Sequence, residues 1–320
     1  MKVLFITSYG KEGFGHLVRC IAISQAFKKL KINYKFLINN EKNIFDNLKK
    51  SEIEASFDWY KEKHKTISVI KKFDIIILDS LKISKNFLIR IKNVSKFMVY
   101  INDYNRWKIN GILHVDWTLL KKRRTNKLEI LGHKYTPLRK DFIKSKNYKL
   151  NKKIKNIFIF FGGSDVRGLS NKTLNYLVKN HPDFNFKIIS KKKEFKNVKY
   201  YNLLNAKKLI KILLKSDLVI TSGGQTLYEI AYIGIPSIVF SETKYDSEDI
   251  KAWTKKGGIL YSGQWNSKKF NLNLEKNFKI IQSYNFRKIM RKNMEKIIDG
   301  KGALRLAKKI LFYEKFRKKS

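Results

Sequence analysis

Cysteine is almost absent from this chain. The single Cys20 excludes an intrachain disulfide and any cysteine-built metal centre. It falls on the apolar side of a helical stretch, 17–27, and is expected in the core. The histidines His64, His114, His133 and His181 show no metal-ligand spacing, so no metal is expected. Long apolar runs are missing too: none approaches the roughly 18 residues of a spanning helix. Residues 1–7 form only a short apolar run, soon broken by Gly10 and Glu12, and do not read as a signal peptide. The expected location is cytoplasmic. Acidic residues are scarce, with 26 Asp and Glu against 70 Lys and Arg, a formal charge of +44. Such a surface attracts polyanions, phosphorylated substrates and anionic membrane faces. A lysine-rich composition bias, shared with abundant Ile and Asn, explains the same numbers, and both explanations stay open.

What is present is a 320-residue chain, 43% hydrophobic, enough for two domains with real cores. Apolar runs alternate with amphipathic segments. Strands are expected at 3–6, 34–38, 74–78 and 97–101, with helical pieces at 17–27, 44–48, 67–70 and 84–92. The stretch 144–155 lapses into Lys, Asn and Ser and reads as a linker. A second series follows: strands at 157–161, 186–189, 217–220 and 237–240, helices at 169–178, 206–214 and 227–233. The last forty residues read as basic helices with Ile289, Met290, Met294, Ile297, Leu304, Ala307 and Ile310 as the buried stripe. The expected class is α/β with doubly wound parallel sheets. The expected domains are 1–146, 147–300 and a basic helix or tail at 301–320.

Three strands run into glycine-bearing turns, at Gly13 and Gly15, at Gly162-Gly163, and at Gly223-Gly224. Strand, glycine turn and helix together make an anion-binding device, because glycine admits close backbone approach and a helix N-terminus offers unpaired N–H groups. None is closed by Gly-Lys-Ser/Thr, which excludes a P-loop, and the first lacks the spacing of a dinucleotide fingerprint. In the third, Ser222-Gly223-Gly224-Gln225-Thr226 opens a helix and Glu229 follows one turn on. Phosphate at the helix end and ribose hydroxyls on the carboxylate would make a nucleotide grip. Glu229 as an acid stabilising the helix dipole is the equal alternative. His16 stands at the start of the first helix, as a general base near its ordinary pKa of about 6.5 or as a structural residue. Asp103 follows a strand end and either lines the site or caps the next segment.

Ser222-Gly223-Gly224-Gln225-Thr226-Leu227-Tyr228-Glu229 with Gly234-Ile235-Pro236 resembles the donor-nucleotide segment of GT-B glycosyltransferases of the MurG type. Gly13-Phe14-Gly15-His16 with Arg19, Phe160-Phe161-Gly162-Gly163-Ser164-Asp165, the segment from Gly132-His133 to Asp141-Phe142, and Ala252-Trp253-Thr254-Lys255-Lys256-Gly257-Gly258 resemble a narrower family. These are the PseG/SpsG-like UDP-sugar hydrolases of pseudaminic acid biosynthesis and their spore-coat relatives. The resemblance implies a GT-B fold, two Rossmann-like domains facing across a cleft, with no cofactor. It implies hydrolysis of a UDP-linked amino-deoxy sugar, of the UDP-2,4-diacetamido-2,4,6-trideoxy-altropyranose kind. Water would attack the anomeric carbon, activated by His16, with UDP leaving, in nonulosonic-acid or surface-glycan synthesis. The expected binding residues are Gly13, Gly15, Arg19, Asp79, Gly162, Gly163, Ser222, Gly223, Gly224, Gln225, Thr226 and Glu229. The phosphate and ribose duties then fall to Gly223–Glu229, and the first turn presents His16. Two departures touch the sugar side. Leu81 stands where the family shows a tyrosine, and Asp246-Ser247-Glu248 stand where it often has Asn-Gln. The alternatives are a glycosyltransferase at the inner membrane face, in peripheral contact with anionic lipid, and a non-catalytic polyanion-binding protein. No nucleic-acid motif is present.

Overall fold

The computed structural model describes residues 1–10, 14–39, 48–103, 106–120, 128–145, 147–163, 165, 167–190, 195–202 and 204–317. Gly13, Ser164 and most of the helical piece expected at 44–48 lie outside them. The chain divides into two units: Met1–Lys140 with Gly300–Ser320, and Asp141–Asp299. The first division therefore falls before the expected 146, and the terminal segment belongs to the first unit.

Unit 1 runs β1 (Lys2–Thr7), α1 (Gly15–Lys29), β2 (Asn33–Ile38), β3 (Ile53–Ser56), α2 (Lys63–Ile70), β4 (Ile75–Asp79), α3 (Lys85–Val94), β5 (Phe97–Ile101), β6 (Leu113–Asp116) and β7 (Glu129–Leu131). The strands form one sheet in the order β3-β2-β1-β4-β5-β6-β7, every pair parallel. A parallel sheet covered on both faces needs strands that are apolar throughout. Accordingly all of β4 and β5 is buried. Trp59, Phe87, Leu88 and Ile91 pack with Leu4, Ile6, Ile76 and Leu78 in one core.

The short helix α4 (Lys140–Ile143) leads into unit 2. There follow β8 (Asn156–Phe160), α5 (Leu169–Asn180), β9 (Asn185–Ile189), β10 (Val198–Tyr201), α6 (Ala206–Leu213), β11 (Leu218–Ser222), α7 (Gln225–Ile233), β12 (Ser237–Ser241), α8 (Lys244–Lys255), β13 (Leu260–Gln264), α9 (Phe270–Ile281) and α10 (Tyr284–Ile297). The order is β10-β9-β8-β11-β12-β13, again parallel. Each unit thus carries the strand order of a Rossmann-like, doubly wound sheet, reversing between β1 and β4 and between β8 and β11.

The stretch 144–155 is not a free linker. Tyr148 and Leu150 pack on the unit 2 core, Ile154 is buried, and the buried Arg287 of α10 donates to the carbonyls of Asn151 and Lys152, both at 2.8 Å. Lys144, Lys149, Lys152, Lys153 and Lys155 are exposed, which is why composition alone reads the stretch as a spacer. The last helix, α11 (Gly302–Arg317), packs on α1 and on the 3-10 turn His133–Tyr135 of unit 1. Of the expected stripe, Met290, Met294, Ile297, Ala307 and Ile310 are buried, Leu304 is half-buried and Ile289 is 60% exposed. Helical rotation from Met290 carries its neighbour outward. Among the described residues no helix is long and apolar enough to cross a membrane.

Candidate active site

Ligands bind doubly wound sheets outside the strand C-termini, where the strand order reverses. In unit 1 that point lies between β1 and β4, whose ends pair as Thr7 with Asp79. His16 and Arg19 stand three residues apart in α1, on one helical face. That face meets Asp79, and His16 Nδ1 lies 2.7 Å from Asp79 Oδ1. Arg19 donates to both Asp79 oxygens and, through Nη1, to Asp103 Oδ2. Its guanidinium also rests 5.2 Å from the Trp117 ring centroid. All four polar side chains are buried. Gly15 opens α1, and a Cβ there would meet nothing within 4 Å.

Burial alone pushes the Asp79 carboxyl up, but Arg19 and then His16 outweigh it and hold the group well below the usual carboxylate range. Burial likewise works against the Arg19 cation, and Asp103 and Asp79 reverse the effect, raising its pKa. Cys20, next in the helix and buried as expected, has its thiol pushed up by burial and by Asp79. An ionised carboxylate only accepts. The 2.7 Å contact therefore requires a proton on His16 Nδ1, and in the neutral imidazole the lone pair then lies on Nε2. Arg19 Nη2, 3.1 Å from the same nitrogen, donates to Asp79 Oδ1 and not to that N–H. With imidazole neutral the four side chains carry one net negative charge; a proton taken up at Nε2 neutralises the group. Asp103 Oδ1 and the Tyr100 hydroxyl, both buried, have no hydrogen-bond partner among the described residues, and such groups are expected to meet ligand or water.

In unit 2 the reversal falls between β8 and β11. Gly162-Gly163 follow β8 and Gly223-Gly224 follow β11, so two of the three glycine turns meet at neighbouring strand ends. Gly224 is the N-cap of α7 with φ +92°, and no side chain caps the helix. A Cβ there would be strained; the Leu227 amide turns back to the Gly224 carbonyl at 3.1 Å, and a helix N-terminus without a side-chain cap suits an anion. Gln225 and Thr226 are half-buried, and Ser222 and Glu229 are buried, Glu229 fully. Asp165 accepts from the Leu169 and Ser170 amides at 2.9 Å, capping α5.

Sequence reasoning missed Glu242, which follows β12 and shares a side-chain hydrogen bond with Ser222. Burial, then Asp246 and Asp165, push its carboxyl above the usual range. Its one sequence signal is an acid directly after a strand end. Of the other histidines, His114 Nε2 donates to the Ile109 carbonyl at 2.8 Å, His181 pairs with Glu275 at 2.8 Å, His133 is half-buried in the 3-10 turn His133–Tyr135, and His64 is exposed.

No known protein-family model matches the chain. It is 30% identical over 290 residues to the uncharacterized protein MJ1062 of Methanocaldococcus jannaschii, a match covering 80% of this chain and 59% of that one. It is 23% identical to the spore coat polysaccharide biosynthesis protein SpsG of Bacillus subtilis, over 92% of this chain and 93% of the relative. It is 25% identical to the Helicobacter pylori pseudaminic acid cytidylyltransferase and UDP-2,4-diacetamido-2,4,6-trideoxy-beta-L-altropyranose hydrolase, over 73% of this chain and 42% of that one. The chain therefore spans well under two thirds of two of these relatives. Among solved structures it resembles MurG of Acinetobacter baumannii, with TM-score 0.68 and 11% identity over 97% of this chain and 99% of the other. It also resembles an S. aureus MnaA–UDP co-structure, with TM-score 0.69 and 14% identity over 98% and 96%. At these identities the likeness establishes the fold, and the two Rossmann-like domains expected of a GT-B chain are present.

Proposed function

We propose that this protein is a UDP-sugar enzyme, most simply a hydrolase. In this reading unit 2 holds the nucleotide and unit 1 supplies the base. The observation that carries it is the His16–Asp79 contact, clamped by Arg19, at the point of unit 1 where a doubly wound sheet takes its ligand. The likeness to SpsG and to the H. pylori hydrolase, and the UDP named in the MnaA structure, support the substrate class.

His16 Nε2 takes a proton from water while the water oxygen forms a bond to the anomeric carbon. The bond from that carbon to the UDP oxygen breaks, and UDP leaves with the electron pair. The proton stays on the imidazole, where Asp79 balances it, and then passes to solvent. Asp79 holds tautomer and orientation, and Arg19 holds Asp79. The leaving diphosphate meets the α7 N-terminus, whose N–H groups and dipole stabilise its charge. Glu229 is assigned the ribose hydroxyls.

Incubation with UDP-amino sugars, following free UDP and reducing sugar, tests the reading. Bound but unturned substrate for every candidate would overturn hydrolysis. Replacing His16 by Gln should lower kcat by roughly 10²–10⁴ and leave UDP affinity unchanged. Near-normal turnover would remove His16 from the mechanism.

One observation favours a transferase instead. Leu81, two residues beyond Asp79, is 52% exposed, so an apolar side chain stands where the resembling family has a tyrosine hydroxyl. A transferase would release UDP only after a hydroxyl acceptor is added.

A further inference from the structure

The helix α11 has two faces. Ala303, Leu306, Ala307 and Ile310 are buried against unit 1. Arg305, Lys308, Phe312 and Lys315 recur every three to four residues on the other side, and Phe316 lies one turn beyond Phe312. Phe312 is 53% exposed and Phe316 63%. Single exposed apolar side chains are ordinary. Here two stack on each other, centroids 6.0 Å apart and 23° between planes, inside a row of cations.

Beside them lies a groove of about 450 Å³ lined by Lys134, Tyr135, Arg305, Lys308, Lys309 and Phe312. Four of the six are cations and none is an acid. Among the described residues no carboxylate pairs with Lys134, Lys308 or Lys309, and the acid of α11, Glu314, is turned inward and buried. Arg305 is fixed at the groove by donating to the Lys134 carbonyl at 2.8 Å.

We propose that this face of α11, with its groove, docks the protein on an anionic lipid surface. The cations meet headgroup phosphates and the two phenylalanines enter the interface. Charge complementarity supports the choice, since Lys308 and Lys309, with no carboxylate partner among the described residues, flank exposed apolar rings, the pattern of an interfacial helix. A nucleic acid fits less well. Base stacking needs open ring faces, whereas Phe312 is engaged by Phe316 and by Lys309 Nζ, 4.6 Å from its centroid. The inference is independent of the catalytic reading.

Co-sedimentation with vesicles of phosphatidylglycerol and phosphatidylcholine tests it, against phosphatidylcholine alone. Binding is expected only to the mixed vesicles. F312S with F316S should weaken it roughly tenfold or more, and K308E with K309E should abolish it. The control is a second basic groove of about 470 Å³ on unit 2, where Lys288 and Lys292 line the wall with Arg291 and Glu295. K288E with K292E should leave vesicle binding within twofold. An equal loss from both charge reversals would mean that net charge, not this face, makes the contact, and would overturn the proposal. So would vesicle binding unaffected by the phenylalanine changes, or tighter binding of single-stranded RNA through the same residues. Inorganic phosphate is expected not to displace the vesicles at matched ionic strength; displacement would assign the groove to a free anion instead. The variants alter exposed side chains apart from the half-buried Lys309, and an unchanged melting curve verifies the fold.

Discussion

Asp79 accepts from His16 and from two nitrogens of Arg19, so a single carboxylate both orients the imidazole and anchors the cation. Its folded pKa lies below the usual value of about 3.9. The ionised form therefore favours the fold: its contribution is fully present above about pH 4 and is lost as pH falls through that value and below. Replacing Asp79 by Asn leaves Arg19 buried with fewer partners and should cost on the order of 3–5 kcal/mol near neutral pH. The gap between the two proteins should narrow by about 1.4 kcal/mol per pH unit below about pH 4. Denaturant titrations of both proteins at neutral pH and near pH 3 measure it, and a gap of constant size would show that Asp79 acts through shape alone. His16, Arg19 and Asp79 could be picked out in the sequence because a motif and a strand end mark them. Their convergence could not, because a separation of 63 residues is closed only by β1 pairing with β4. Glu242 escaped for a related reason: an acid after a strand becomes significant only when β12 is placed next to β11.

The same contrast holds for elements. Strands β1, β4, β5, β8, β11 and β12 are legible because burial on both faces demands unbroken apolar runs. The edge strands β3 and β10 are short and half-buried, with Ile-Glu-Ala-Ser and Val-Lys-Tyr-Tyr sequences that carry little signal. Strand β6 is buried but interleaves His114 and Asp116 with its apolar residues. The allegiance of α11 to unit 1 is invisible in helical periodicity and is fixed instead at one close approach. A Cβ on Gly302 would lie 2.1 Å from the Thr136 carbonyl oxygen. On an unhindered helix, alanine is favoured over glycine by about 0.5–1 kcal/mol. Here G302A should destabilise by about 1–3 kcal/mol, because backbone must move. A rise in melting temperature would show that α11 does not seat as described. At the α7 end, Glu242 brings a carboxylate to the turn assigned to the diphosphate, and its raised pKa places its charge loss above the usual range of about 4.3. Protonation removes a repulsive charge, so UDP binding should tighten as pH falls through that region, and E242Q should bind UDP severalfold tighter with a flatter pH profile. Calorimetry would decide, and weaker binding by E242Q would make Glu242 a ligand contact instead.

At the scale of the whole molecule the dominant fact is charge. With 70 basic and 26 acidic residues, repulsion among like charges works against the compact state. Attraction does little to offset it. Several of the exposed ion pairs are local helical ones, such as Lys65 with Glu62 and Lys251 with Glu248, each worth about 0–1 kcal/mol. The buried group around Asp79 is shielded from salt, but the surface lysines are not. Raising ionic strength from about 0.01 to 0.1 M shortens the screening length from roughly 30 to 10 Å. That removes most of the long-range repulsion and leaves the short pairs and the buried cluster largely intact. The melting temperature should therefore rise with sodium chloride over this range. Docking through α11 should respond in the opposite sense, since its cations meet the headgroups through the same screened field. One salt series, read by thermal melting and by vesicle co-sedimentation, separates the two effects. A melting temperature that falls with salt would mean that favourable surface pairs outweigh the repulsion, and the excess of lysine would then be no burden on the fold.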